Sequence, residues 1–234
     1  MKKPIGQNGF FKVSADGAGT ASGEFVSVAY PAQKDGQELV VATAFFQAMA
    51  DGVHAHGLAP LFTDLTPLTE NHFDFSVTAH GSPAYLELQE IAPLTGTYAA
   101  APAQYKPYDH AHHILAKIRA KAAKYPDDGG TPIFLFVYVT HWSFTVSETV
   151  IACLRVWLQQ EVTPFRAIFA FAPQPDAGGI TKWLSPVPPQ LIAGFDPESV
   201  RDNIVLNVNP AEFALVSKTS LQTIFQCQLN LRGY

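Results

Sequence analysis

Residues 73–91 read FDFSVTAHGSPAYLELQEI, and the alternation of apolar and polar positions in this stretch decides what kind of fold the chain adopts. Successive strand side chains point to opposite faces. Within AYLELQEI, Tyr85, Glu87 and Gln89 therefore share one face, and Leu86, Leu88 and Glu90 share the other. FDFSVT supplies a neighbouring strand, with Asp74 between large apolar residues. A charge inside a strand this apolar is costly unless it is paired, exposed on an edge or holding a cation. Asp74, Glu87 and Gln89 are thus the first candidates for chemistry.

Outward from this centre, GLAPLFTDLTP ends at Pro67 and reads as a third extended segment, completing a three-stranded meander. Before it, ELVVATAFFQAMAD (38–51) is apolar on more than one side, as a largely buried helix would be. Residues 1–23 are rich in Gly, Ala and Ser and predict a poorly packed start. After the meander, a loop runs from Ala92 to Pro107, and DHAHHILAKIRAKAAKYP follows with Asp109 as N-cap and Pro126 as stop. Helical spacing gives this element a buried face of Ile114, Leu115, Ile118, Ala122 and Tyr125. Beside that face runs a stripe of His110, His113, Lys117, Lys121 and Lys124. IFLFVYVTHW reads as a strand buried on both faces, SETVIACLRVWLQQ as a helix capped by Ser147, and FRAIFAFAP as a second buried strand. Beyond Pro173 the chain reads as loop, with Trp183 in a Pro-rich stretch, until two further extended segments, NIVLNV and SLQTIFQCQLNL.

The 234 residues suffice for one sizeable core, and Gly and Pro are scattered rather than pooled into a linker. The expectation is one domain over 1–234, with a core at about 38–173 and a C-terminal elaboration at 174–234. Its fold class is α/β, a mixed β-sheet flanked by helices with extra C-terminal strands. With 47% hydrophobic and 15% charged residues, either the core is large or a partner, a homodimer mate included, covers apolar surface. No apolar run nears the ~20 residues of a membrane span, and MKKPIGQNGFF has no apolar stretch of a signal peptide. A cytoplasmic location is the default expectation. The net charge of −5 argues against whole-surface attraction to nucleic acid, so a local basic stripe such as Lys117, Lys121 and Lys124 would have to meet phosphates. The ordinary alternative is a solvated helix face.

Two carboxylates brought together by Asp74 and Glu87 would repel, and a hard divalent cation such as Mg²⁺ or Mn²⁺ relieves that repulsion while taking oxygen ligands. Glu38, at the start of the first helix, offers a further oxygen. The ordinary reading of the same residues is an edge-exposed acid pair bonded to Lys or Arg. His54, His56, His110, His112 and His113 lack zinc-motif spacing and predict surface or capping roles. Cys153 and Cys227 read as buried free thiols. Ser143 and Ser147 lie near His141 without a GxSxG elbow, and neither GxGxxG nor GxxxxGK[ST] occurs.

The order of a helical Glu38, Asp74 on a hairpin strand, Glu87-Leu88-Gln89 on the next, a Lys-bearing helix and an apolar strand resembles the PD-(D/E)XK nuclease superfamily, the restriction-endonuclease-like fold. The resemblance covers about Glu38 to Pro173. It implies a metal-dependent nuclease acting on DNA or RNA, with Asp74 and Glu87 as metal ligands, Gln89 where the superfamily usually has Lys, and Glu38 as an accessory acid. No Pro precedes Asp74. Gln89 is the larger departure, because a neutral amide cannot supply an ammonium's charge; Lys106 or a lysine of the following helix would be a spatial substitute. A non-catalytic binding or assembly protein of the same fold, and an unrelated α/β protein, are the alternatives.

Overall fold

The computed structural model describes residues 8–15, 21–54, 61–68, 73–91, 104–125, 130–175, 178–207, 214–215 and 225–226. Strands β1 (Gly9–Ala15) and β2 (Ala21–Ser27) form an antiparallel pair where the sequence predicted only a loose start. Small residues weaken strand propensity, but GFFKVSA and SGEFVS still set Phe10 opposite Val26 and Lys12 opposite Glu24. Helix α1 (Lys34–His54) outruns the expected 38–51 at both ends. Strands β3 (Phe62–Pro67), β4 (Phe75–Ala79) and β5 (Ser82–Glu90) are the expected antiparallel meander. His80 and Gly81 join β4 to β5 as a two-residue turn with φ of 48° and 78°. That is the left-handed geometry a tight hairpin requires, and glycine reaches it without strain.

After β6 (Gln104–Tyr105), helix α2 spans Pro107–Ala122 and begins earlier than predicted. Pro107 starts it because proline has φ already set and no N–H to leave unsatisfied. Lys106 takes the cap position, and Asp109 lies in the first turn instead. Strand β7 (Ile133–Tyr138), helix α3 (Glu148–Leu158) and strand β8 (Phe165–Pro173) fall where the sequence placed them, and the Ser147 hydroxyl accepts from the Val150 N–H at 3.4 Å. Residues 179–185 are a strand rather than loop: β9 (Gly179–Ser185) runs antiparallel to β8. Gly179 permits that pairing, since a Cβ there would stand 2.4 Å from the Phe171 ring. Short strands β10 (Val205–Leu206), β11 (Ala214–Leu215) and β12 (Phe225–Gln226) follow; β10 pairs with β6 and β11 with β12.

The main sheet runs β3-β4-β5-β7-β8-β9, parallel at β5-β7-β8 and antiparallel elsewhere. This mixed α/β sheet is flanked by three helices, and β7, buried at every position, carries alternate residues into two cores. Phe134, Phe136 and Tyr138 join Phe169, Phe171, Leu86 and Leu88 beneath α1, whose Val41, Ala42 and Phe45 close that side. Ile133, Leu135, Val137 and Val139 join Ile168 and Ala170 beneath α2 and α3, against Ile114, Leu115, Ile118, Ile151 and Leu154. Alternation thus sends Leu86 and Leu88 toward α1 and leaves Glu87 to face α2. Among the described residues, no helix is long and apolar enough to cross a membrane.

Candidate functional site

Asp74 immediately precedes β4, whose Phe75 pairs with Leu86 of β5. The hairpin register therefore carries Asp74 alongside the middle of β5. One Asp74 carboxylate oxygen accepts from the Leu88 backbone N–H at 2.7 Å, and the Asp74 carbonyl accepts from the Leu68 N–H at 3.1 Å. The first bond orients the carboxylate and the second anchors its backbone.

Glu87 has 0% exposure. Above it, α2 lays Lys121 down from the stripe that the sequence read beside its buried face. The Lys121 ammonium contacts the Glu87 carboxylate directly and lies 3.7 Å from Asp74 Oδ2. Lys121 keeps only 13% of its side chain exposed, against 22% for Asp74. One turn further along, the Tyr125 hydroxyl interacts with the Glu87 carboxylate. Neither Glu87 oxygen has a well-formed hydrogen bond, so ionic contact is its main compensation for burial. Burial, reinforced by the charge of Asp74, pushes the Glu87 carboxyl up to about 7, with Lys121 and Tyr125 opposing the rise. Burial and then Glu87 raise the Tyr125 hydroxyl.

The other candidates have partners or settings of their own. Glu38 is buried at the start of α1 and pairs with Lys34 at 3.0 Å. Burial raises its carboxyl, the Lys34 bond opposes that, and the charges of Asp74 and Lys121 also reach it. Gln89 lies on the Glu87 side of β5 by alternation, and its Nε2 donates to the Glu90 carbonyl at 2.9 Å rather than to the acid pair. Lys117 is half-buried and Lys124 exposed. Lys106, the other lysine considered for the position of Gln89, pairs instead with Asp202 at 2.9 Å.

The histidines divide. His110, expected in a surface or capping role, is instead 2% exposed, and neither of its ring nitrogens has a hydrogen-bond partner. Burial, then the charge of His113, brings its pKa down to about 4. Its position one turn before Ile114 puts it on the buried face of α2, against Tyr105. His112 is exposed and packs against Trp157 in a tilted arrangement, with ring centroids 4.1 Å apart. The side chain of His54, all of His56 and Cys227 lie outside the described residues, while Cys153 is a buried free thiol. His141 and Ser143 are bonded at 2.7 Å, but the Ser143 N–H also donates to the same ring nitrogen, so this is the local cap of a short 3-10 turn.

The sequence assigned Lys121 to a stripe and missed its particular place; the hydroxyl role of Tyr125 was missed altogether. A signal existed in their i, i+4 spacing, because a lysine one turn from an inward tyrosine lies within reach of whatever that tyrosine covers. Among the described residues, no three His, Cys, Asp or Glu side chains come together as a metal-holding group.

No family model matches the chain, and no curated protein matches it. Among solved structures, Pyrococcus furiosus SfsA in complex with Ca²⁺ is similar at a TM-score of 0.27 and 11% identity, over 70% of this chain and 75% of that one. At that TM-score the likeness carries no argument about ligand or activity.

Proposed function

We propose that the chain is a restriction-endonuclease-like, divalent-metal-dependent nuclease that hydrolyses phosphodiester bonds in DNA or RNA, with Asp74 and Glu87 as metal ligands and Lys121 supplying the charge that Gln89 lacks. The observation that carries this reading is the ammonium of Lys121 set against both carboxylates. The donor set suits Mg²⁺ or Mn²⁺: two hard carboxylates, one of them fully buried with both oxygens short of good hydrogen bonds. Such a cation, when bound, polarises phosphate and makes water a better nucleophile.

The chain's own residues do the rest. The Leu88 N–H keeps Asp74 in one orientation, so little reorganisation remains at the moment of reaction. Lys121 brings positive charge to where negative charge grows on the phosphoryl oxygens as the water oxygen bonds to phosphorus and the ester oxygen leaves. The water's proton is lost to solvent, and the leaving oxygen gains one. Lys117, one turn before Lys121 on α2, and Lys124, in the turn just past its end, would contact neighbouring phosphates. Glu38, paired with Lys34 on α1, would act only through its charge.

A second reading, a binding or assembly protein of this fold without catalysis, is favoured by the Gln89 amide being turned to backbone and by the pair of acids lacking a third among the described residues. Cleavage assays on single- and double-stranded DNA and on RNA, with Mg²⁺ or Mn²⁺, separate the two. The nuclease reading expects Glu87→Ala and Lys121→Ala each to lower the rate at least about 100-fold. It expects Gln89→Ala to stay within about tenfold. Wild-type protein that cleaves none of these substrates sinks the nuclease reading, and a Lys121→Ala variant as fast as wild type removes Lys121 from it.

A further inference from the structure

We infer that Lys121 is a built-in counter-ion that closes the Asp74 and Glu87 pair, so that a divalent cation binds only by displacing its ammonium. This rests on the reading of the pair as a metal centre. The ammonium touches Glu87 and lies 3.7 Å from Asp74, which is the space between the carboxylates that a shared cation would need. Two carboxylates and one ammonium sum to one negative charge. A divalent ion added without moving Lys121 would stand within a few ångströms of another cation, and like charges that close in a partly buried site repel strongly.

The backbone that carries both ligands is positioned without the lysine. Asp74 is held by the Leu88 N–H, and Glu87 is fixed by its strand and flanked by Tyr125. Lys121 itself hangs on a flexible four-carbon stem and retains some exposure, so its ammonium has a path outward while staying within reach of a bound phosphate. Removing its charge therefore frees the site without dismantling it. A merely structural ion pair behaves oppositely: its loss would loosen the site and weaken any ligand.

The test is calorimetric titration of Mn²⁺ into the full chain, as wild type, Lys121→Met, Glu87→Gln and the double variant, with thermal unfolding in parallel. Lys121→Met is expected to bind Mn²⁺ at least about fivefold more tightly than wild type, while both variants carrying Glu87→Gln lose the binding. Lys121→Gln, which keeps a hydrogen-bond donor without the charge, serves the same comparison if the methionine variant folds poorly. Tighter Mn²⁺ binding together with slower cleavage would mark one lysine serving both tasks. Binding by wild type that Lys121→Met or Lys121→Gln leaves equal or weaker overturns the counter-ion role and leaves the metal centre standing. No Mn²⁺ binding by wild type or by either lysine variant overturns both.

Discussion

On the α1 side of the sheet, Phe45 meets the rings of Phe136, Phe171, Phe169 and Phe62 at centroid distances of 3.7, 5.4, 5.7 and 6.0 Å. On the α2 side, strand β5 sets the fully buried Glu87 beneath Lys121, and α2 buries His110. The same strands build both layers, and what stabilises each differs. The aromatic layer is held by close packing and the removal of apolar area from water, which depend on volume. The α2 layer contains ionisable groups whose burial is tolerated through pairing or neutrality, so it responds to charge and pH. One face is a packed scaffold and the other a layer with titratable groups, and the two answer to different perturbations.

The largest expected effect breaks the packed face. Phe45→Ala should destabilise the fold by about 3–5 kcal/mol, the usual cost of deleting a buried ring with incomplete collapse of the cavity. Denaturant unfolding reads it directly, and a loss under ~1 kcal/mol would mean the α1 layer is far looser than its ring contacts imply. The change should leave the pH dependence of stability as it was, because it touches no titrating group.

A second effect, intermediate in size, sharpens the contrast by pH. The Glu87 carboxyl rises in the folded state, so its stabilising contribution is present below about pH 4.5 and is lost as pH climbs through about 7. His110 has the opposite sign: its pKa falls on folding, so its contribution is present above about pH 6.5 and is lost as pH drops through about 4. Between these limits the two slopes oppose one another in wild type. Glu87→Gln should expose a stability that rises with pH from about 4 to 6.5, and His110→Phe one that falls from about 4.5 to 7. Urea midpoints measured across pH 4–8 check both. If Glu87→Gln leaves the profile unaltered, Glu87 does not titrate in this range.

The smallest effect concerns the more exposed lysines of α2 and the turn after it. Lys117→Ala with Lys124→Ala should change stability by no more than about 0.5 kcal/mol. If the helix meets phosphates, the pair should reduce the slope of log affinity against log salt by about one per lysine. Binding of a labelled oligonucleotide at several salt concentrations measures this, and an unchanged slope returns both lysines to a solvated face.

Much of the scaffold was legible because periodicity reports faces directly. The unbroken apolar run of β7 could only be a strand covered on both sides, and the alternation in β5 separated Leu86 and Leu88 from Glu87 before any partner was known. Strand β9 was not legible. Its GITKWLS pattern is weak, and its pairing depends on Gly179 passing the Phe171 ring, a contact between elements rather than a property of the segment. The start of α2 was misplaced by a competing signal, since Asp109 is a good cap by type and Pro107 is a better first residue by conformation.

At the centre, the letters alone were enough to bring Asp74, which the structure sets just before β4, alongside Glu87 of β5, to put Glu87 on one face with Gln89, and to give the following helical segment a row of lysines. Those statements need only the two-residue period of a strand and the turn of a helix. Which of those lysines meets the acids was settled only by packing. Lys117, Lys121 and Lys124 are equivalent as letters on a stripe, and the way α2 docks on β5 sets the ammonium of Lys121 against two carboxylates while leaving Lys124 in solvent. The physical reason is that the strength of a charge's interactions depends on its distance from partners and from water, and both are set by how elements pack.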